Sequence, residues 1–188
     1  MKTIWVVLII LGVILLIGVG WFIQGLNMAV MLDEQVNSSW AQVENQLQRR
    51  NDLIPNLVST VKEYMTHEKE TFMKITELRS QWGKAQTTQE KIDTANQITN
   101  ALSRLIMVAE NYPQLKANEN FLALQAQLEG TENRIAVERR RYNQTVQSFN
   151  SYRRTVFGSF FCRMRGLTNG RVYFEAEEGA RVVPEVKF

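Results

Sequence analysis

The stretch that decides the fold is Ile4–Ile23, IWVVLIILGVILLIGVGWFI, which contains no charged and no polar side chain. Because an α-helix rises about 1.5 Å per residue, a helix over this stretch is about 30 Å long and matches the hydrocarbon core of a bilayer. Tryptophans stand near both ends, where amphipathic rings favour the headgroup level. The stretch therefore predicts a transmembrane helix, with the bilayer contacted at its two ends by Ile4, Trp5, Trp21, Phe22 and Ile23.

A cleaved signal peptide is the alternative to a permanent anchor. The apolar run is longer than a typical signal core, bulky Trp21 and Phe22 close it, and no Ala-x-Ala site precedes Asp33. A single-pass anchor in the cell (inner) membrane is therefore favoured. Lys2 and the α-amino group lie on one side, whereas Gln24–Val43 carries no Lys or Arg, so the positive-inside rule predicts an extracytoplasmic or periplasmic domain.

Apolar residues recur every seven positions after the anchor, which is the pattern of helices that pack against other helices. Three prolines and ten glycines in 188 residues also favour helix. We therefore predict an all-α fold in which residues 1–26 form the anchor, 27–157 an up-and-down helical bundle and 158–188 an irregular tail. The repeats are Trp40, Leu47, Ile54, Val61, Ile75 and Trp82, then Phe121, Leu128, Ile135, Tyr142, Phe149 and Val156.

The number of helices in the bundle depends on where the long first segment breaks. Pro55 lacks a backbone donor and clashes with the preceding turn, so a kink or a short break is expected near Ile54. A break near Pro55 or near His67 gives four helices, and an unbroken segment gives three. The last heptad seam is only half apolar, which suits a globular bundle better than an isolated coiled coil.

Several long motifs resemble the LemA family of membrane proteins. The first is Arg49–Val58, RRNDLIPNLV, and it is flanked by Trp40 with QVENQL and by Tyr64-Met-Thr-His-Glu68. Ala109–Asn143 and the tail VYFEAEEGA with its terminal VKF resemble the same family. The resemblance implies a membrane helix, a four-helix bundle and no known enzymatic activity, and related members are associated with magnetosome membranes.

One segment departs from that family pattern. The family usually continues with proline and small apolar residues after the position of Phe157, whereas here Gly158 follows and Cys162, Arg163 and Arg165 interrupt the apolar run. The aromatic and basic residues of this segment predict lipid or subunit contacts through Phe160, Phe161, Arg163 and Arg165. Packing against the end of the bundle is the alternative.

Catalytic and metal-binding residues are not expected. His67 is the single histidine and lacks the second histidine of a zinc-binding HExxH motif, and Cys162 has no histidine near it in sequence. We therefore predict neither an enzyme nor a cofactor. The run Arg139-Arg140-Arg141 lacks interleaved stacking aromatics, which disfavours nucleic acid as a partner.

Charged residues on the apolar stripe predict contacts between helices or subunits. Arg50 occupies a seam position, so Arg50 or Arg49 is expected either to face solvent or to pair with Glu129, Glu132 or Glu138. Asp52 is likewise expected to pair with Arg139 or Arg140. The remaining candidates for such contacts are Pro55, Tyr112, Pro113 and Tyr142.

Two functions stay open at this level. A helical bundle on a membrane helix predicts a structural or scaffolding protein that forms a homo-oligomer, such as a ring or a cup on the membrane. The alternative is an adaptor that binds another membrane protein, such as a protease or a signalling protein. Residues 134–171 carry nine arginines against the single acid Glu138, which indicates an acidic protein surface or anionic lipid as a partner.

Overall fold

A computed structural model describes residues 2–65 and 68–175 of the chain. The predicted all-α fold is confirmed, because this part of the chain forms helices and contains no strand. His67 and the acidic end of the tail lie outside the described residues. The helices are α1 (Lys2–Lys62), α2 (Lys69–Lys84), α3 (Thr88–Ala109), α4 (Pro113–Lys116), α5 (Glu119–Arg154) and α6 (Val156–Met164).

The chain divides into two compact units, and helices α1 and α5 contribute to both. Of the described residues, unit 1 combines those up to 40 with 143–171, and unit 2 combines those between 41 and 142 with 172–175. The four long helices α1, α2, α3 and α5 all have residues in unit 2. This unit has the helical-bundle arrangement that the heptad pattern predicts, over a shorter range than the predicted residues 27–157.

Contacts between α1 and its neighbours define the up-and-down topology of unit 2. Arg50 bonds to Ala95 O and Glu44 pairs with Lys91, so residue numbers rise together and α1 and α3 run parallel. Arg50 also pairs with Glu132, while Tyr64 accepts a bond from Asn118, so α5 runs antiparallel to α1.

Helix α2 forms an antiparallel hairpin with α1. Arg79 bonds to Asn51 O, and these two residues lie at similar distances on either side of the turn after Lys62. Each long helix of unit 2 is therefore antiparallel to the one before it.

The heptad residues of unit 2 are buried inside the unit. Helices α1 and α2 contribute Leu47, Ile54, Val61, Ile75 and Trp82, and α5 contributes Phe121, Leu128, Ile135 and Tyr142. Burying one large apolar side chain stabilises a fold by about 1.5–3 kcal/mol, so these seams supply much of the driving force. The stripe that the sequence offers for helix packing is thus used within one chain.

Helix α1 is continuous through Pro55, so the short break considered near that residue does not occur. Proline has no N–H to give to the carbonyl four residues earlier, which here belongs to Asn51. Arg79 Nε of α2 donates to that carbonyl oxygen at 3.1 Å and replaces the missing bond. The helix ends instead at Lys62, where Met65 N bonds to Val61 O, and the next long helix begins at Lys69.

Replacing Arg79 with methionine is expected to lower the free energy of unfolding by about 1–3 kcal/mol, because the buried Asn51 carbonyl loses its partner. Pro55→Ala restores a backbone N–H for the same carbonyl, so Arg79→Met should cost much less in a Pro55→Ala background. Urea unfolding of the full-length protein in mild detergent measures both values.

The control for the two Arg79→Met measurements is Arg104→Met, which changes an exposed arginine of α3. Equal effects of Arg79→Met with and without the Pro55→Ala substitution would show that Arg79 stabilises the bundle by some other route.

Helix α3 begins with a capping box. Thr87 accepts a bond from the backbone of Glu90, and the Glu90 carboxylate accepts from the backbone of Thr87 and of Gln86. These backbone N–H donors lower the pKa of Glu90 below its ordinary value of 4.5, chiefly through Gln86 and then Thr87. The sequence Thr-x-x-Glu, typical of a capping box, thus marks the start of α3.

This capping box predicts a pH dependence. The folded carboxylate binds protons less readily than the unfolded one, so its stabilising contribution is present above the ordinary pKa and is lost as pH falls through the lowered one. Glu90→Gln should therefore lose less stability than wild type on acidification. Thermal unfolding across the acidic range tests this, with Glu119→Gln in the first turn of α5 as the control. Parallel acid profiles for wild type and Glu90→Gln would contradict it.

Unit 1 contains helix α6 at the start of the tail, for which the sequence predicts an irregular segment with at most a short turn of helix or strand. Thr155 caps α6 by accepting a bond from Gly158 N at 3.0 Å. A Cβ at Gly158 would lie 2.0 Å from the carbonyl oxygen of Tyr152, so only glycine fits this tight entry. Gly166 (φ 73°) follows the last turn and lets Leu167 N bond back to Cys162 O at 2.8 Å, which closes the helix.

Val156 corrects the heptad prediction. Its spacing from Phe149 predicts a buried position on the last helix, yet its side chain is 82% exposed. Helix α5 ends at Arg154, and the seven-residue spacing does not carry across the cap at Thr155. Phe149 and Phe161 are the large residues in the core of this unit.

Candidate functional site

The apolar stretch forms the first part of α1, and its side chains are largely exposed. Ile4 and Trp5 at one end, and Trp21 and Ile23 at the other, are about half to two-thirds exposed. Helix α1 is long and apolar enough to cross a membrane by length and composition. The helix is therefore compatible with a membrane anchor.

The end of this stretch meets α6 in an aromatic cluster, which we call the boundary cluster. It consists of Trp21 and Phe22 from α1 and of Phe157, Phe160 and Phe161 from α6. The ring centroids of Trp21 and Phe157 are 5.0 Å apart, and those of Phe22 and Phe161 are 5.6 Å apart, in edge-to-face arrangements that aromatic pairs prefer. The structure thus brings anchor residues together with two of the residues predicted to contact lipid.

Phe161 is the buried member of the boundary cluster. Its ring lies against Gly25, where a Cβ would come within 2.2 Å of the ring carbons. Tyr152 adds a second tie, because its hydroxyl donates to Gly25 O at 3.0 Å. A glycine one turn beyond Trp21 thus allows α6 to pack closely on α1.

A further tie in unit 1 joins Arg171 to Asp33. Arg171 donates from Nε and Nη2 to Asp33 Oδ1, at 2.9 and 2.6 Å. Asn150 bonds to both the N–H and the carbonyl of Arg171, at 2.9 Å each, and so holds the backbone there. No local pattern of residues indicates this pair, since its two members are 138 positions apart.

Cys162 is a buried thiol in unit 1. Burial raises its pKa, the Arg153 charge opposes that shift and Asp33 adds to it. A raised pKa leaves less of the reactive thiolate. The neighbouring Arg163 and Arg165 are exposed.

The buried charge of unit 2 is Arg50, whose side chain is 1% exposed. Its Nη1 donates to Thr99 Oγ1 at 2.6 Å and to Glu132 Oε1 at 2.8 Å, and its Nη2 donates to Ala95 O at 2.9 Å. Arg50 therefore links three helices, and its acid is one of the three that the sequence offered.

The neighbouring charges behave differently from Arg50. Arg49 is exposed, and the Asp52 carboxylate accepts from Gln48 one turn earlier on the same helix, at 2.7 Å. This local pair corrects the expectation that Asp52 reaches Arg139 or Arg140, and it follows from the i, i+4 spacing on a helix surface. Arg140 is exposed.

Arg139 and Tyr142 instead contact the segment that follows Arg171. The Arg139 guanidinium lies over the ring of Phe174, 4.1 Å from its centroid. Burial lowers the pKa of Arg139, Glu132 raises it and Arg50 lowers it. Tyr142 donates to Val172 O at 2.7 Å. Of the other predicted contact residues, Pro113 begins α4 and half-buried Tyr112 precedes it.

An apolar helix of membrane length and an up-and-down helical bundle define the class: a helical-bundle protein with an N-terminal helix able to span a membrane. The model of the LemA family matches residues 39–188, so the chain belongs to the LemA family. It is similar to Protein LemA of Metamycoplasma hominis, with 27% identity over 176 residues that cover 92% of this chain and 80% of that protein.

Proposed function

We propose that this protein is a single-pass, membrane-anchored scaffold that associates with copies of itself through its helical bundle. The observation that carries the proposal is helix α1 itself. One helix supplies both an exposed apolar stretch of membrane length and the central residues of the bundle. Such a helix links a position in the bilayer to a folded binding surface without an intervening linker.

Exposed apolar side chains support the self-association. The heptad seams are buried within one chain, so contacts between copies would use side chains that remain outside. Met73 of α2, Met107 of α3 and Leu122 of α5 are each about half exposed or more. Methionine is enriched at protein–protein interfaces relative to the rest of the surface, so these exposed side chains are candidates for contacts between copies.

A catalytic role is not part of the proposal. Within the described residues, no group of three or more His, Cys, Asp or Glu side chains is placed to hold a metal ion. The buried Cys162 has a raised pKa, which disfavours nucleophilic chemistry.

The oligomeric state tests the proposal. Full-length protein in mild detergent is expected to give a mass of several chains by light scattering, and crosslinking in native membranes is expected to give a ladder of self-adducts. Met73→Glu, Met107→Glu and Leu122→Glu should each be tried for loss of the ladder, with Gln89→Glu on exposed α3 surface as the control. A monodisperse monomer would overturn the scaffold, and one dominant foreign adduct would favour an adaptor.

We also propose that the bundle lies on the extracytoplasmic side of the cell membrane. The support is Lys2 before the apolar stretch and the absence of Lys and Arg from Gln24–Val43. In a Cys162→Ser background, a cysteine at Gln89 should react with a membrane-impermeant maleimide on intact cells. Labelling only after lysis would reverse the orientation.

A further inference from the structure

Helix α6 has an apolar face that the described chain covers only in part. Val156, Phe157, Phe160 and Met164 are 82, 61, 52 and 55% exposed. At 3.6 residues per turn, the spacing of these four residues places them on one side of the helix. The opposite side carries the buried Gly158, Phe161 and Cys162, so α6 is apolar on both its packed and its open side.

The open face of α6 continues into the exposed surface of the apolar stretch. Phe157 is in edge contact with Trp21, and Phe160 lies 6.4 Å from Phe22 between ring centroids. Trp21 and Ile23 are themselves half exposed. The partly exposed rings at the end of the stretch are therefore in contact with residues of the open face of α6.

Three exposed arginines lie close to this open face in sequence, one at the end of α5 and two at the end of α6. Arg154, Arg163 and Arg165 are exposed, and none forms an ion pair within the residues that the structure describes. A second copy of the chain would bring the same positive charges to this face, and like charges disfavour that contact. Anionic phospholipid headgroups offer the opposite charge beside apolar acyl chains.

The geometry points to α6 as a second membrane-contacting element, an in-plane helix whose open face enters the boundary between headgroups and acyl chains. Arg154, Arg163 and Arg165 contact anionic phosphate groups there. Helices that lie in the membrane interface commonly combine Lys or Arg with Phe or Leu on the side that faces the acyl chains. The inference rests on the proposed anchorage by α1, since Trp21 and Phe22 position α6 at the end of the apolar stretch.

Spin labels in the full-length protein test the inference. In a Cys162→Ser background, single cysteines replace Phe160, Leu15 and Gln89, and each protein is labelled and placed in vesicles of phosphatidylcholine with phosphatidylglycerol. Accessibility to oxygen relative to a water-soluble nickel complex reports depth. We expect the ratio at Phe160 to be several-fold above that at Gln89 and below that at Leu15, and helical content with a thermal unfolding curve confirms the fold of each variant.

The two labelled positions test different proposals, because Leu15 reports on the anchor in α1 and Phe160 reports on α6. A lipid signal at Leu15 with an aqueous signal at Phe160 would overturn the inference and leave the anchor intact, whereas aqueous signals at both positions would overturn both. Spin–spin broadening at Phe160 that disappears on dilution with unlabelled protein would identify a second copy as the occupant, and would also overturn it.

The charge of the headgroup has its own test. Each arginine near an anionic surface favours the bound state by about fivefold. Arg163→Gln with Arg165→Gln should therefore reduce the inserted fraction of α6 strongly in phosphatidylglycerol vesicles and little in pure phosphatidylcholine. The control is Arg104→Gln on α3. Unchanged depth in both lipids would overturn the role of anionic headgroups.

Discussion

Replacing Arg50 with alanine is expected to lower the free energy of unfolding by about 2–5 kcal/mol, since the loss of a fully buried side chain leaves a cavity and takes a donor away from its acceptors. Glu132, Thr99 and Ala95 O each lose a donor, and the missing side chain leaves a void among three helices. At this chain length the effect corresponds to a fall of about 10 °C in Tm. Thermal and urea unfolding of full-length protein in mild detergent, followed by circular dichroism, measures it.

The adjacent arginine provides the matched control. Arg49 is exposed, so Arg49→Ala should change the free energy of unfolding by no more than about 0.5 kcal/mol. A double-mutant cycle with Arg50→Met and Glu132→Gln then isolates the pair itself. Equal costs for Arg49→Ala and Arg50→Ala, or zero coupling to Glu132, would contradict the buried network.

Replacing Phe161 with alanine is expected to lower the free energy of unfolding of unit 1 by about 3–5 kcal/mol, the usual cost of Phe→Ala in a core. Its ring fills the space between Gly25, Trp21 and Phe22, and no neighbouring side chain of α6 replaces it. Near-ultraviolet circular dichroism during thermal unfolding monitors the packing of the boundary cluster, to which Phe161 belongs.

Phe160 is the matched control, because it is the preceding residue and is half exposed. Phe160→Ala should cost much less than Phe161→Ala in detergent. Gly25→Ala alone should strain the packing by about 1–3 kcal/mol, because its methyl group meets the Phe161 ring, and Phe161→Ala should remove that strain. Additive effects of the two substitutions would show that the ring and the glycine do not pack together.

The helical core could be predicted from residue spacing because burial on a helix repeats with the helical period. Leu47, Ile54 and Val61 lie where that rule places them. Val156 does not, because the spacing rule assumes one unbroken helix and the cap at Thr155 starts a new one. Such a cap depends on local hydrogen bonds, and the spacing of apolar residues carries no information about them.

Charged contacts were harder to predict than apolar ones. Arg50 stood out because a charge on an apolar stripe must find a partner, but three acids satisfied that condition equally well in sequence. The Asp33–Arg171 pair could not be recognised in this way, because neither residue interrupts an apolar repeat in the sequence. In sequence Asp33 resembles a solvated acid, whereas in the structure it is buried and paired with Arg171, whose backbone is bonded to Asn150.

Pro55 acquires a different meaning from the bond between Arg79 and Asn51. A proline on an exposed helix face usually counts only as a lost backbone bond. Here Pro55 leaves the carbonyl of Asn51 without its helical donor. That carbonyl accepts a bond from the guanidinium of Arg79 on α2. A slip of α2 by one helical turn, about 5.4 Å, would leave both groups unpaired. Pro55 thereby helps to fix the axial register of α2 against α1. The apolar repeats alone would allow several registers that differ by whole helical turns.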